Sequence, residues 1–194
     1  MSLPKFKITF IGDQSTGKTS LITRFKHGSF DGQYQATIGV DFMSKTVFVG
    51  GTSVRLQLWD SAGQDRFTSL IPSYLRDSLA VVMVFDLSSR QSLSNLSTWL
   101  EYVRNSRGED VQIFVVGNKS DLSNRLPTTE GAAFAEKIGA TYFEVSAKSG
   151  DNVELLFKTM AEKLLELSVP SGTRPVQTVK LDAVPPSSQS NCSC

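Results

Sequence analysis

Cysteine and histidine are nearly absent from this chain. Its two cysteines, Cys192 and Cys194, both fall within the last three residues, and its one histidine is His27. No disulfide framework can be assembled from that cysteine pair, and a zinc site of nitrogen and sulfur ligands has no cluster to draw on. His27 stands alone near the end of an expected helix and reads as a surface or satisfied residue, so acid–base catalysis by histidine is not expected. Long apolar runs are missing as well. The longest, Leu79 to Phe85, has seven residues, against the roughly 20 that a membrane-spanning helix needs. The opening segment, Met1 to Gly12, carries no h-region of a signal peptide and enters a strand pattern directly, which points to the cytosol. Excess charge of either sign is lacking too. Twenty Lys and Arg face nineteen Asp and Glu, a net +1, so no global field favours acidic membranes, and no nucleic-acid partner is expected.

What is present is a chain of 194 residues, 40% apolar and 20% charged, enough for one globular domain with an appendage or at most two small domains. Apolar runs alternate with helical patterns, the signature of β/α units on a mainly parallel sheet. Strands are expected at Phe6–Ile11, Val40–Val49, Ser53–Asp60, Leu79–Phe85, Val111–Val116 and Tyr142–Val145. Gly50-Gly51 joins the second and third as an antiparallel hairpin. Helical spacing fits Lys18–Lys26, Gln91–Asn105, Thr128–Ile138 and Asp151–Leu167. The expectation is an α/β fold with a six-stranded, mostly parallel sheet and about five helices over residues 1–167. Residues 168–194 hold four of the seven prolines and six serines but no aromatic side chain. Such a segment cannot offset the entropy of ordering itself and is expected to be a flexible tail.

Gly12-Asp13-Gln14-Ser15-Thr16-Gly17-Lys18-Thr19 matches G-x-x-x-x-G-K-S/T between an expected strand and an expected helix, the context a P-loop requires. The backbone explains the pattern. Glycines let successive N–H groups from Ser15 to Thr19 turn toward phosphates, the helix adds its positive end, Lys18 adds a mobile cation, and the Thr19 hydroxyl can ligate Mg²⁺. Asp60-Ser61-Ala62-Gly63-Gln64 closes the third strand. There Asp60 can hold a Mg²⁺-bound water, the Gly63 N–H can sense a γ-phosphate, and Gln64 can orient an attacking water. Asn118-Lys119-Ser120-Asp121 and Ser146-Ala147-Lys148 follow the last two strands, where ligands bind in open α/β sheets. An ionised Asp121 only accepts hydrogen bonds, and guanine offers it two donors, at N1 and the 2-amino group. Adenine offers neither, and sites of this kind reject such an analogue by about 10⁴ to 10⁵. Ala147 can give its N–H to the guanine carbonyl while Lys119 and Lys148 cover the ring.

With these four motifs in this order, residues 5–167 resemble the Ras-like small GTPases, and the P-loop NTPase fold of that group is implied. The resemblance implies that Thr37, in Thr37-Ile38-Gly39, meets Mg²⁺ with its hydroxyl and the γ-phosphate with its backbone. It implies that Phe30 stacks on the guanine edge and that Ser20 and Tyr34 contact the nucleotide. The catalytic group would be Gln64, Lys18 and Thr37, with Thr19, Thr37 and Asp60 on the metal. Ile38 to Phe42, Arg55 to Trp59 and Arg66 to Leu70 look like the Rab branch, in which Ile38, Phe42, Trp59 and Tyr74 would face effectors. Gln14-Ser15, Tyr34 to Thr37, Ser69 to Tyr74 and the Cys-Ser-Cys end are most similar to the Rab subgroup serving Golgi transport. The implied protein is a monomeric switch on the cytosolic face of intracellular membranes. It would bind GTP and GDP and regulate vesicle transport through an exchange factor, a GTPase-activating protein, a GDP-dissociation inhibitor, the prenylation machinery and GTP-state effectors. Cys192 and Cys194 would each carry a geranylgeranyl group; one lipid chain alone gives only marginal membrane binding.

Some positions depart from the commonest pattern of that group. Gln14 and Ser15 stand for Gly-Gly, Ser61 for Thr, and Asp65 for Glu. Gln14 is expected to crowd the γ-phosphate and slow hydrolysis. Three other readings compete: a constitutively nucleotide-bound interaction protein, a small P-loop kinase, and a Ras or Rho branch member. Retention of Gln64 and Thr37 speaks against the first, the lack of a recognisable arginine-bearing lid against the second, and Cys192 at third from the end, where no C-a-a-X box fits, against the third.

Overall fold

The computed structural model describes residues 3–32, 37, 39–61 and 71–168. Within them the chain runs β1 (Lys5–Ile11), α1 (Lys18–His27), β2 (Val40–Val49), β3 (Thr52–Ser61), α2 (Ile71–Leu75), β4 (Ala80–Asp86), α3 (Arg90–Ser94), α4 (Leu96–Arg107), β5 (Gln112–Asn118), α5 (Thr128–Lys137), β6 (Thr141–Glu144) and α6 (Val153–Ser168). All six strands join one sheet in the order β2-β3-β1-β4-β5-β6. Only β2 and β3 pair antiparallel; the other pairs are parallel. Gly50 and Gly51 turn that hairpin at φ 56° and 74°, angles open to glycine without penalty. The expected mixed sheet is therefore the observed one.

Two helical features differ from the sequence pattern. The single helix expected over 91–105 divides at Asn95 into α3 and α4. Asn95 keeps right-handed angles (φ −69°, ψ −13°), so the break is slight, and its side chain turns to a partner outside the helix. The short α2 was not expected: five residues are too few to show periodicity. Pro72 is tolerated there because it sits in the first turn, where an N–H has no helical acceptor.

Side-chain parity builds a core on each face of the sheet. On one face Phe10, Leu56, Leu58, Val82 and Val84 pack under α1 and α6, with the Phe25 and Phe157 rings stacked at 3.7 Å. On the other, Val81, Met83, Phe85 and Val115 pack under Leu75, Trp99, Val103 and Ala135. Strand β4 is buried along its whole length, as a strand covered on both faces must be. Because β1 lies between β3 and β4, the connections from it and from its neighbour leave toward opposite faces. That opens a crevice beyond the carboxyl ends of the strands.

Candidate functional site

A cavity of about 660 Å³ occupies that crevice, within the usual range of ligand pockets. Its wall includes Gln14, Ser15, Gly17, Lys18, Thr19, Ser20, Phe30, Thr37, Asn118, Lys119, Asp121, Ala147 and Lys148. Ser61, from the motif at the end of β3, and Thr23, Asp31, Gly32 and Leu122, which the motifs did not indicate, complete it. The stretches at the ends of β1, β3, β5 and β6, far apart in sequence, thus line one cavity because the sheet brings those strand ends together, and Phe30, Asp31, Gly32 and Thr37, between α1 and β2, add to its wall.

The P-loop is built by backbone angles that few side chains tolerate. Gly12 sits at φ +134° and a Cβ there would lie 2.1 Å from the Val84 carbonyl oxygen; Gly17 sits at φ +90°, and a Cβ would lie 2.3 Å from Asn118 Nδ2. Lys18 is buried, and its ammonium donates to the carbonyls of Gly12 and Asp13, each at 2.8 Å. Burial lowers its pKa to about 8, with Asp60 and Asp13 acting in the opposite sense. A cation held this way, partly stripped of water, gains most from a phosphate that takes over its hydrogen bonds. Asp13 has a second task that the sequence did not signal. Its carboxylate accepts from Asn95 Nδ2 and from Trp99 Nε1, both at 2.7 Å, so α4 holds the loop from behind. This is where the Asn95 side chain goes at the break between α3 and α4.

Beside the P-loop three oxygen groups meet. The Thr19 hydroxyl donates to Asp60 Oδ2 at 2.5 Å and lies 2.8 Å from the Thr37 hydroxyl. Asp60 Oδ1 is buried with no hydrogen-bond partner among the described residues. Burial raises this carboxyl to about 6, against the Thr19 hydrogen bond and the Lys18 charge. A buried, orphaned carboxylate oxygen next to two hydroxyls fits a hard divalent cation such as Mg²⁺, which takes oxygen ligands and compensates that carboxylate. Among the described residues no group of three or more His, Cys, Asp or Glu offers an alternative.

At the other end of the cavity, Asn118 bridges two loops. Its Nδ2 donates to the Thr16 carbonyl at 2.8 Å, and its Oδ1 accepts the Ala147 N–H at 3.1 Å. Asp121 Oδ1 accepts from the buried Ser146 hydroxyl at 2.6 Å, and Lys148 Nζ lies 3.9 Å from Oδ2. Thr16 and Ser146, both buried, brace Asn118 and Asp121 through these bonds. Lys119 Nζ donates to Asp86 Oδ2 at 2.5 Å, across the register that sets Asp86 opposite Asn118. Burial acts to raise Asp86, but the bonds from Lys119 and Ser88 prevail and hold it below its ordinary value. Asp86 ends the apolar run of β4, which could have flagged it; nothing in the sequence signalled Arg24, whose guanidinium reaches the Ala147 carbonyl from α1.

Of the surface expected to meet partners, Phe42 and Trp59 come together edge to face, ring centroids 5.4 Å apart. Phe42 is 47% exposed. Trp59 lies on the opposite strand face from the buried Val54, Leu56 and Leu58, with Lys7 Nζ 4.5 Å from its ring centroid. Tyr74 is half-buried in α2, and its carbonyl accepts the Thr9 hydroxyl at 3.3 Å. His27 is exposed at the end of α1, as expected. Tyr34, Ile38, Gly63, Gln64, Cys192 and Cys194 lie outside the described residues, as does the segment 169–194. No helix among the described residues is long and apolar enough to cross a membrane. Compared with known protein families, residues 7–166 match the Ras family.

Proposed function

The chain belongs to the Ras family, whose members bind GTP and GDP, typically with Mg²⁺, and act as small GTPase switches; from that premise we propose that it is a Rab-type regulator of vesicle transport at the Golgi. The observation that carries the switch is the hydrogen bond between the hydroxyls of Thr37 and Thr19, the latter also bonded to Asp60, since it ties a residue between α1 and β2 to the place where the metal and γ-phosphate would lie. The Rab and Golgi readings are supported by the segments around Ile38 to Phe42, Trp59 and Ser69 to Tyr74 and by the Cys-Ser-Cys end.

Phosphoryl transfer leaves the protein little covalent work beyond positioning a water and neutralising charge. The N–H groups of residues 15–19 and Lys18 bind the phosphates. Thr19, Thr37 and Asp60 hold Mg²⁺, which when bound spreads the charge of the phosphate oxygens. Gln64 orients the attacking water, Gly63 senses the γ-phosphate, and Gln14, which lines the cavity, slows the step by crowding it. No arginine of this chain is assigned as a finger, so a GTPase-activating protein supplies the missing charge, worth about 10³ to 10⁵ in rate. Loss of the γ-phosphate frees Thr37 and Gly63, and the effector surface of Ile38, Phe42, Trp59 and Tyr74 changes with them. An exchange factor reloads GTP, a GDP-dissociation inhibitor takes up the GDP form, and geranylgeranyl groups on Cys192 and Cys194 return it to the membrane.

The test is to measure nucleotide exchange and single-turnover hydrolysis, and to localise tagged Gln64→Leu and Thr19→Asn variants. The leucine variant is expected to stay GTP-loaded on Golgi membranes and the asparagine variant to lose GTP and disperse. Activated hydrolysis at the normal rate by Gln64→Leu would overturn the catalytic assignment, and localisation to another organelle the Golgi assignment.

A further inference from the structure

One side chain joins three parts of the base end of the cavity without lining it. Arg24, in the last turn of α1, donates through Nε to the Ala147 carbonyl at 2.7 Å, through one terminal nitrogen to the Lys148 carbonyl, and through the other to the Gly28 carbonyl at 2.6 Å. The loop after β6 has its own turn: the Gly150 N–H bonds the Ser146 carbonyl at 2.8 Å and the Ser146 N–H bonds Asp151 at 3.0 Å. That turn closes over Ser146 and Asp151, and the next two carbonyls are taken by the guanidinium. Gly28, the third acceptor, caps α1 with φ 69° and leads to Phe30, which stands in the cavity wall.

We infer that Arg24 is a positioning residue for guanine discrimination, fixing the loop that carries Ser146, Ala147 and Lys148 to the same helix that presents Lys18 and Thr19. This rests on the reading of that loop as the guanine site. Six residues of α-helix separate Lys18 from Arg24, roughly 9 Å along the axis, so one rigid element sets the spacing between the phosphate end and the base end. The consequence runs through Asp121. Its orientation depends on the Ser146 hydroxyl at 2.6 Å and is assisted by Lys148 at 3.9 Å, and both belong to the loop that Arg24 holds. A guanidinium does this where an ammonium cannot, because its fixed fork serves several carbonyls at once.

GDP and IDP separate this role from a general loss of structure. IDP keeps the N1–H but lacks the 2-amino group, so the ratio of their dissociation constants reads how well Asp121 is aimed. First, wild-type protein is tested for displacement of mant-GDP by GDP, IDP and ADP. Failure of GDP to outcompete ADP would sink the guanine reading itself, independently of Arg24. Given that preference, Arg24→Ala is expected to release mant-GDP roughly tenfold faster, the scale of a lost charged hydrogen bond, and to narrow the GDP-to-IDP ratio. Arg24→Lys, which restores one contact at most, is expected to fall between the two, and it decides the matter if the alanine variant does not fold. An unchanged release rate, or equal losses for GDP and IDP, would overturn the inference.

Discussion

Single residues in this protein carry their consequences through geometry that a substitution changes sharply. At Gly17 a Cβ would meet Asn118 Nδ2 at 2.3 Å on a backbone at φ +90°. Gly17→Ala is therefore expected to displace Asn118 from both Thr16 and Ala147, destabilising the domain by about 2–4 kcal/mol and lowering nucleotide affinity, as read by urea unfolding and mant-GDP titration. Asp86 makes a pH-dependent prediction. Its folded-state carboxyl is held below its ordinary value, so its contribution is present above the unfolded pKa, roughly 3.9, and is lost as pH falls through the folded value. The stability difference between wild type and Asp86→Asn should accordingly be largest near neutral pH and vanish under acid, measured by urea midpoints between pH 7 and 3. An unchanging difference would show that the Lys119 pairing does not stabilise the charged carboxylate. At this scale the motif residues were legible, since their chemistry depends on residue type and local spacing. Asp13 as an anchor, the pairing of Asp86 with Lys119 and the reach of Arg24 to Ala147 were not, because the partners lie 82, 33 and 123 positions apart.

Among the elements, α4 is the one whose role changed most between pattern and structure. Periodicity alone makes it a core-covering helix, and Trp99 does pack among Met83, Phe85 and Val103. Yet its first turn also holds the P-loop through Asp13. Trp99→Phe keeps most of the apolar contact and removes only the Nε1 donor. We expect it to cost about 1–3 kcal/mol, since the acceptor is a carboxylate, and to speed mant-GDP release, whereas a purely packing role predicts lower stability with an unchanged rate. On the opposite face, Phe157 stacks on Phe25 and lies 5.8 Å from Phe10. Phe157→Ala should cost about 3–5 kcal/mol by thermal or urea unfolding. The strands were readable from sequence nearly to the residue, because apolar runs covered on both faces are continuous and short. The division at Asn95 and the short α2 were not, because both answer to tertiary partners rather than to period.

For the whole domain, the cavity joins the ends of four strands, so ligand binding and folding are linked. A nucleotide present at 1,000 times its dissociation constant adds about 4.1 kcal/mol. For a domain of this size that is a rise of roughly 8 to 16 °C in the unfolding midpoint. Stripping Mg²⁺ and nucleotide with a chelator and phosphatase should lower the midpoint by that order; a shift under about 2 °C would mean that the folded domain does not hold nucleotide tightly. On the proposed geranylgeranylation of Cys192 and Cys194, Cys192→Ser should shift the protein from the membrane pellet toward the supernatant, as one lipid chain binds reversibly; an unchanged pellet fraction would overturn that proposal. By itself the sequence determined the β/α alternation, the P-loop, the order of the four motifs and hence the guanine-nucleotide chemistry, because each of these resides in residue type and near-neighbour spacing. Only the tertiary structure decided which groups hold those motifs in place: α4 behind Asp13, Asp86 beside Lys119, and Arg24 under the loop of Ala147. Hydrogen bonds between side chains and distant backbone leave no period and no fixed spacing along the chain; they exist only once the sheet has brought the strand ends together.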